Sequence, residues 1–128
     1  MRRAVLGGLL SEAVFQAAFL LFWVTGSMTA AAAAGAVTGF AVVRFLSGSA
    51  AFRPLRDTLL WLGAALTAHL LTDGLGVPLR LAGWCVPSIR AAGGFTAAEG
   101  LAVLLATTVF TAAAAAGYGI GLFFGRNR

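Results

Sequence analysis

Two pairs of polar side chains stand inside otherwise apolar stretches of this chain. Glu12 and Gln16 form the first pair, and His69 and Asp73 form the second. Residues four apart lie on the same face of an α-helix, so the members of each pair are presented together. A carboxylate in an apolar segment is typical of substrate or proton handling, or of a packing ion pair. A histidine beside a carboxylate indicates either a hydrogen bond or part of a metal site.

The composition of the chain predicts the environment of these residues. Of its 128 residues, 60% are hydrophobic and 10% are charged, and the mean hydropathy is +0.94. This is too apolar for a soluble domain of this size and predicts an integral membrane protein. The net charge of +5 comes from nine arginines that punctuate apolar runs instead of forming a patch, which disfavours nucleic-acid binding.

Four apolar segments are long enough to cross a hydrocarbon core, which needs about 20 residues. They predict an all-α protein with a single four-helix transmembrane domain over residues 1–128. The polar residues Glu12 and Gln16 disfavour a cleaved signal peptide as the interpretation of the first segment. The predicted spans are 4–24, 28–46, 58–78 and 95–125.

The arginines predict the orientation of these spans. Seven lie at the two termini, at the end of the second span and in the connection that follows it, and two lie in the connection between the third and fourth spans. Cytoplasmic segments of membrane proteins carry an excess of basic residues. We therefore expect a multi-pass protein of the cytoplasmic membrane with both termini in the cytoplasm.

One segment of the chain occurs twice. Residues 29–44 read TAAAAAGAVTGFAVVR, and residues 111–126 read TAAAAAGYGIGLFFGR. The copies share a threonine, a pair of glycines four apart and a terminal arginine, which predicts two parallel helical-hairpin repeats. The glycine pairs predict close helix contacts, either inside the bundle or between two copies of the chain. These glycines are Gly35, Gly39, Gly117 and Gly121.

Each polar pair has an expected partner. Arg44 closes the second span, and the short first turn makes it the expected partner of Glu12. Such an ion pair would fix helix packing, whereas an unpaired Glu12 would handle substrate or protons. His69 and Asp73 are expected to form a hydrogen bond at the outer boundary. A metal site is disfavoured because the remaining candidate ligands are scattered, so no metal or cofactor is expected.

The beginning of the chain, MRRAVLGGLLSEAVF, resembles the first span of GtrA-like proteins. That family begins with an arginine, an apolar stretch, a Gly-Gly-Leu step and an acidic residue, and Arg3, residues 7–9 and Glu12 provide these features here. The similarity extends to the overall layout of four spans. The second and fourth spans each close with an arginine, Arg44 and Arg126.

The resemblance implies a protein that moves polyprenyl-phosphate-linked sugars across the cytoplasmic membrane, or one that assists their glycosyltransferases. Guanidinium groups bind phosphate with paired donors, and apolar helix faces accommodate a polyprenyl chain. The expected partners are membrane lipids, the lipid-linked sugar, and either a second copy of the chain or a glycosyltransferase. The candidate substrate-binding residues are Glu12, Gln16, Arg44, Arg126 and Arg3.

Two other functions stay open. One is a small multidrug-type exporter in which Glu12 is the coupling carboxylate. The other is a membrane anchor subunit of a larger enzyme complex, with a haem bound by His69. The sequence shows no nucleophile next to a base and no phosphate-cradling loop, so enzymatic activity is not expected.

Overall fold

The computed structural model describes residues 2–126, which form six α-helices and no strand. The helices are α1 (Arg2–Thr25), α2 (Met28–Ser47), α3 (Pro54–Gly74), α4 (Val77–Cys85), α5 (Pro87–Ala92) and α6 (Ala97–Arg126). By length and composition, α1, α2 and α6 could each cross a membrane, and α3 with α4 adds a fourth crossing if this bent pair is one span. The expected all-α fold is confirmed, and its apolar helices indicate a multi-pass membrane protein.

A tight turn makes α1 and α2 antiparallel neighbours. Gly26 has a φ of +68°, a left-handed conformation that glycine adopts without strain. Ser27 then caps α2, because its hydroxyl accepts the backbone N–H of Thr29 at 3.2 Å.

Glycines bring α2 and α6 into close contact. A side chain at Gly39 would collide with the backbone of Ala114, and a side chain at Gly117 would collide with the backbone of Ala36. Gly35 and Gly121 likewise face the partner helix, at Phe110 and at Val43. Residue numbers rise together along the contact, so α2 and α6 run parallel. The predicted packing of both glycine pairs is confirmed, and it occurs within one chain.

A second parallel pair is formed by α1 and α3. A side chain at Gly8 would come within 2.8 Å of the carbonyl oxygen of Trp61, and Gln16 reaches Thr72 further along both helices. The Trp61 indole donates a hydrogen bond to the Ser11 hydroxyl at 2.9 Å and stacks on α6. These contacts fix the register of α1 on α3, and the stacking of Trp61 connects the α1–α3 pair to the α2–α6 pair.

The third predicted span, 58–78, is broken in the structure. The α3 helix ends at Gly74, Gly76 adopts a φ of +73°, and α4 continues at 63° to α3. The following residues, expected to be a connection, are mostly helical in α4 and α5. Both short helices cover the bundle end through a buried cluster shared with α1 and α6. Its largest members are Phe15, Phe19, Ile89 and Phe110.

Candidate functional site

Glu12 lies on the face of α1 that contacts α3, and its side chain is only 8% exposed. One carboxylate oxygen, Oε1, accepts hydrogen bonds from Nε2 of Gln16 at 2.6 Å and from the hydroxyl of Thr72 at 2.9 Å. Nδ1 of His69 lies 3.3 Å from the same oxygen. Buried carboxylates require such polar contacts, and α3 supplies most of them here.

The predicted pairing of Glu12 with Arg44 is wrong. Arg44 makes no ion pair with Glu12. The glycines of α2 pack against α6, so the Arg44 guanidinium lies near Gly125 of α6 instead. Gly8 is the sequence signal for a close helix contact on this face of α1, and the structure shows that α3 makes the contact. Gly8 precedes Glu12 by one turn, and a small residue marks the helix face that meets another helix closely.

His69 bridges two carboxylates. Its Nδ1 is 3.3 Å from Glu12 Oε1, and its Nε2 is 3.3 Å from Asp73 Oδ2. The expected contact of His69 with Asp73 is confirmed, and Glu12 extends it to a chain of three groups. The exposed fraction of the side chains rises along this chain, from 8% at Glu12 to 23% at His69 and 47% at Asp73. The three groups therefore connect the interior of the bundle with its surface.

These three groups do not converge on one point. The two carboxylates lie at opposite nitrogens of the imidazole ring, so they cannot share a single ion with it, and the described residues contain no His, Cys, Asp or Glu cluster that could hold a metal. Both nitrogens of His69 already face carboxylate oxygens, which leaves neither of them open to a haem iron. This geometry disfavours His69 as an axial ligand.

A separate cavity of about 1190 Å³ lies where the C-terminal turns of α2 and α6 meet the α2–α3 connection. Arg44 lines it, and in the part of the chain that the structure describes its guanidinium makes no hydrogen bond and no ion pair. Glycines on α6 provide much of the space because they have no side chains. Other lining residues are Ser47, Phe52, Gly119, Phe123 and Gly125.

The remaining predicted arginines differ in their surroundings. Arg3 donates a hydrogen bond to the carbonyl oxygen of Phe45 at 3.1 Å and lies 5.1 Å over the ring of that residue. It therefore ties the beginning of α1 to the end of α2, next to Gly48, which lines the cavity. Arg126 is the last residue of α6, and its side chain lies outside the described part of the structure.

The predicted site residues thus fall into two groups. Glu12 and Gln16 lie together between α1 and α3, while Arg3 and Arg44 lie at the end of the bundle where α2 terminates. Sequence reasoning missed Thr72, although its position three residues after His69 places it on the same helix face. It also missed the hydrogen bond between the hydroxyls of Thr58 and Tyr118, which no spacing along the chain indicates.

Comparison with family models, with curated proteins and with solved structures found no match to this chain. The resemblance to GtrA-like proteins therefore depends on the residues quoted above. The long apolar helices indicate the class of the protein, an all-α multi-pass membrane protein.

Proposed function

We propose that this protein binds a polyprenyl-phosphate-linked sugar in the cavity beside Arg44 and moves it across the membrane, alone or as an accessory to a glycosyltransferase. One observation carries the proposal: the Arg44 guanidinium lines this cavity without a partner among the described residues. A cation at the edge of an apolar bundle favours an anionic ligand, and the planar fork of arginine matches phosphate.

The size of the cavity supports a large headgroup. Its volume of about 1190 Å³ exceeds the roughly 300–1,000 Å³ of ordinary small-molecule pockets, which leaves room for a phosphate and a sugar. Ser47 adds a hydroxyl to the lining. Phe123 and Phe124 on α6 are 63% and 56% exposed, and they offer an apolar surface to the polyprenyl chain.

The arrangement of the helices supports two parallel hairpin repeats in this proposal. A duplicated hairpin related by an axis along the membrane normal places α1 parallel to α3 and α2 parallel to α6. The α1–α3 pair and the α2–α6 pair are both parallel. The cavity then faces the cytoplasm, the side where most arginines are expected and where lipid-linked phosphates are made.

Equilibrium binding of polyprenyl phosphate to the purified chain in lipid nanodiscs tests the proposal. Arg44→Gln should weaken binding by about tenfold or more, because charge-assisted bonds contribute about 1.5–3 kcal/mol. Arg44→Lys keeps the charge without the paired donors and should give an intermediate affinity. Arg80→Gln removes the same charge from α4 and is the matched control. Equal affinities of the wild type and Arg44→Gln would contradict the proposal.

A second function is favoured by a different observation. Glu12 is buried among polar contacts inside the bundle, as the coupling carboxylate of a small proton-driven exporter would be. This candidate predicts that expression protects cells from lipophilic cations and that Glu12→Gln removes the protection. Identical growth inhibition with and without the protein would eliminate it.

A further inference from the structure

We propose that Glu12, His69 and Asp73 form a proton-binding site. With both carboxylates ionised and the imidazole neutral, the three side chains would carry only the one N–H proton of the ring, and the site holds at least one proton more than that. The proposal concerns the contact between α1 and α3. It does not depend on the ligand of the Arg44 cavity.

The contacts of the imidazole ring favour this additional proton: the Nδ1 contact with Glu12 is a hydrogen bond, and the Nε2 contact with Asp73 is within ion-pair distance. A neutral imidazole has one N–H donor and one nitrogen lone pair, and an ionised carboxylate only accepts hydrogen bonds. Both ring nitrogens of His69 lie 3.3 Å from a carboxylate oxygen. With no additional proton, one lone pair would face an anionic oxygen with no hydrogen between them. A proton on the ring or on either carboxylate supplies the missing donor.

The surrounding helices supply no compensating positive charge. His69 is the only ion-pair partner of Glu12 or Asp73 in the described residues. The helices α2, α4 and α6 contribute no ion pair to the cluster, and the Arg80 guanidinium of α4 makes none with either carboxylate. An uncompensated carboxylate as buried as that of Glu12 costs several kcal/mol. One added proton reduces the charge of the cluster to a single negative charge, and a second removes it.

The hydrogen bonds of Gln16 also favour an additional proton at Glu12. Its Nε2 donates to Glu12, while its own Oε1 is buried and has no hydrogen-bond partner among the described residues. That oxygen needs a donor. An ionised Glu12 has no hydrogen to donate, whereas a protonated Glu12 would donate to the amide oxygen of Gln16 once the amide oxygen and nitrogen exchange places.

The order of the groups defines a path for the proton. A cavity of about 270 Å³ lies beside the two outer groups and is lined by His69 and Asp73 together with Phe15 and Thr107. A proton leaves the Asp73 carboxyl as its O–H bond breaks and an Nε2–H bond forms on His69. The Nδ1–H bond of the ring then breaks as an O–H bond forms on Glu12. The ring ends neutral, in its other tautomer, and the proton has moved to the buried carboxylate.

The single histidine of the chain makes the site directly observable. NMR of the labelled ring nitrogens of the chain in nanodiscs reports His69 alone. The spectrum is recorded at about pH 7.5, where a histidine free in water is mostly neutral. Infrared spectroscopy of the same sample detects protonated carboxyl groups. We expect either a doubly protonated ring, or a protonated carboxyl band that is lost in Glu12→Gln or Asp73→Asn. A neutral ring without such a band in the wild type would overturn the proposal.

Two further variants complete the test. The double variant Glu12→Gln/Asp73→Asn preserves the shapes of the side chains and should give a neutral ring at the same pH, and a ring that stays charged would contradict the proposal. Glu99→Gln is the control, because Glu99 binds the backbone of Thr96 at the beginning of α6, and this change should leave the ring spectrum unaltered. Circular dichroism of each variant checks the fold. These spectra need no lipid-linked substrate, so their failure and the failure of phosphate binding at Arg44 are distinguishable.

Discussion

Two charged residues that were expected to neutralise each other instead lie in different parts of the bundle. Glu12 contacts Gln16, Thr72 and His69, and Arg44 lies beside the α6 glycines. Among residues 2–125, whose side chains the structure describes, Arg44 therefore has no partner of opposite charge, and the only such partner of Glu12 is His69, which must be protonated to act as one. This separation is the physical basis for assigning a proton to the first site and an anion to the second.

A double-mutant cycle tests this separation. Glu12→Gln removes the charge on the acceptor of the Thr72 hydroxyl and Thr72→Val removes that hydroxyl, so their effects on the free energy of unfolding should be coupled by about 0.5–3 kcal/mol. Glu12→Gln and Arg44→Gln should be additive within about 0.5 kcal/mol. Denaturant unfolding in detergent micelles measures both cycles. Strong coupling to Arg44 and none to Thr72 would show that the contacts described above are incorrect.

At the scale of the helices, the glycines of α6 serve two different purposes on two faces. Gly117 allows the backbone of α2 to approach, since any side chain there would meet Ala36. Gly119 faces the cavity, and a side chain there would meet no atom within contact distance. Two positions along one helix therefore predict opposite effects of the same substitution.

Alanine substitutions at these positions should differ in sign. Gly117→Ala should destabilise the protein by about 1–3 kcal/mol, because α2 and α6 must separate to accommodate the methyl group. Gly119→Ala should be neutral or stabilising by up to about 1 kcal/mol, because alanine favours the helix and collides with nothing. Thermal unfolding in detergent compares the two. Equal losses of stability would contradict the assignment of the faces.

A larger side chain at Gly119 tests the cavity itself. Gly119→Leu should leave the fold intact and reduce the binding of polyprenyl phosphate, because the side chain would occupy the space beside Arg44. Gly63→Leu is the matched control, since Gly63 also has open space around it but lies away from this cavity on α3. Unchanged binding by Gly119→Leu would show that the ligand does not use the cavity.

The elements differ in how far the sequence predicts them. Small residues at helical spacing are a local signal, which is why the glycine contacts of α2 and α6 were predictable. The predicted third span ran to residue 78, whereas α3 ends at Gly74 and the left-handed Gly76 redirects the chain. The helices α4 and α5 are too short to show a periodicity, and their position depends on a cluster formed with distant helices. The partner of Glu12 depends on which helix α1 packs against, a property of the assembled bundle.

At the scale of the whole molecule, two parallel helix pairs place the C-terminal ends of α2 and α6 at the same end of the bundle. The Arg44 cavity lies at that end. The segment between α5 and α6 lies at the opposite end, because α6 begins there. The parallel pairing therefore predicts which segments share a side of the membrane, and the arginine distribution predicts which side that is.

Reporter fusions test both statements. Fusions after residue 50 and after residue 128 should both report the cytoplasm, and a fusion at residue 93 should report the other side. The Arg44→Gln variant should keep this topology, because the remaining arginines preserve the imbalance. Different sides for residues 50 and 128 would contradict the parallel pairing, and an external signal from both would contradict the orientation.

Translocation of a fluorescent polyprenyl-phosphate-linked sugar in proteoliposomes tests the central claim, that the Arg44 cavity handles an anionic lipid-linked substrate. Wild-type protein should accelerate the loss of probe from the outer leaflet relative to protein-free liposomes. Arg44→Gln should reduce this rate about tenfold, corresponding to about 1.4 kcal/mol, while Arg80→Gln, with the same change in charge, should retain it. Equal rates for Arg44→Gln and the wild type, at equal amounts of reconstituted protein, would contradict the claim.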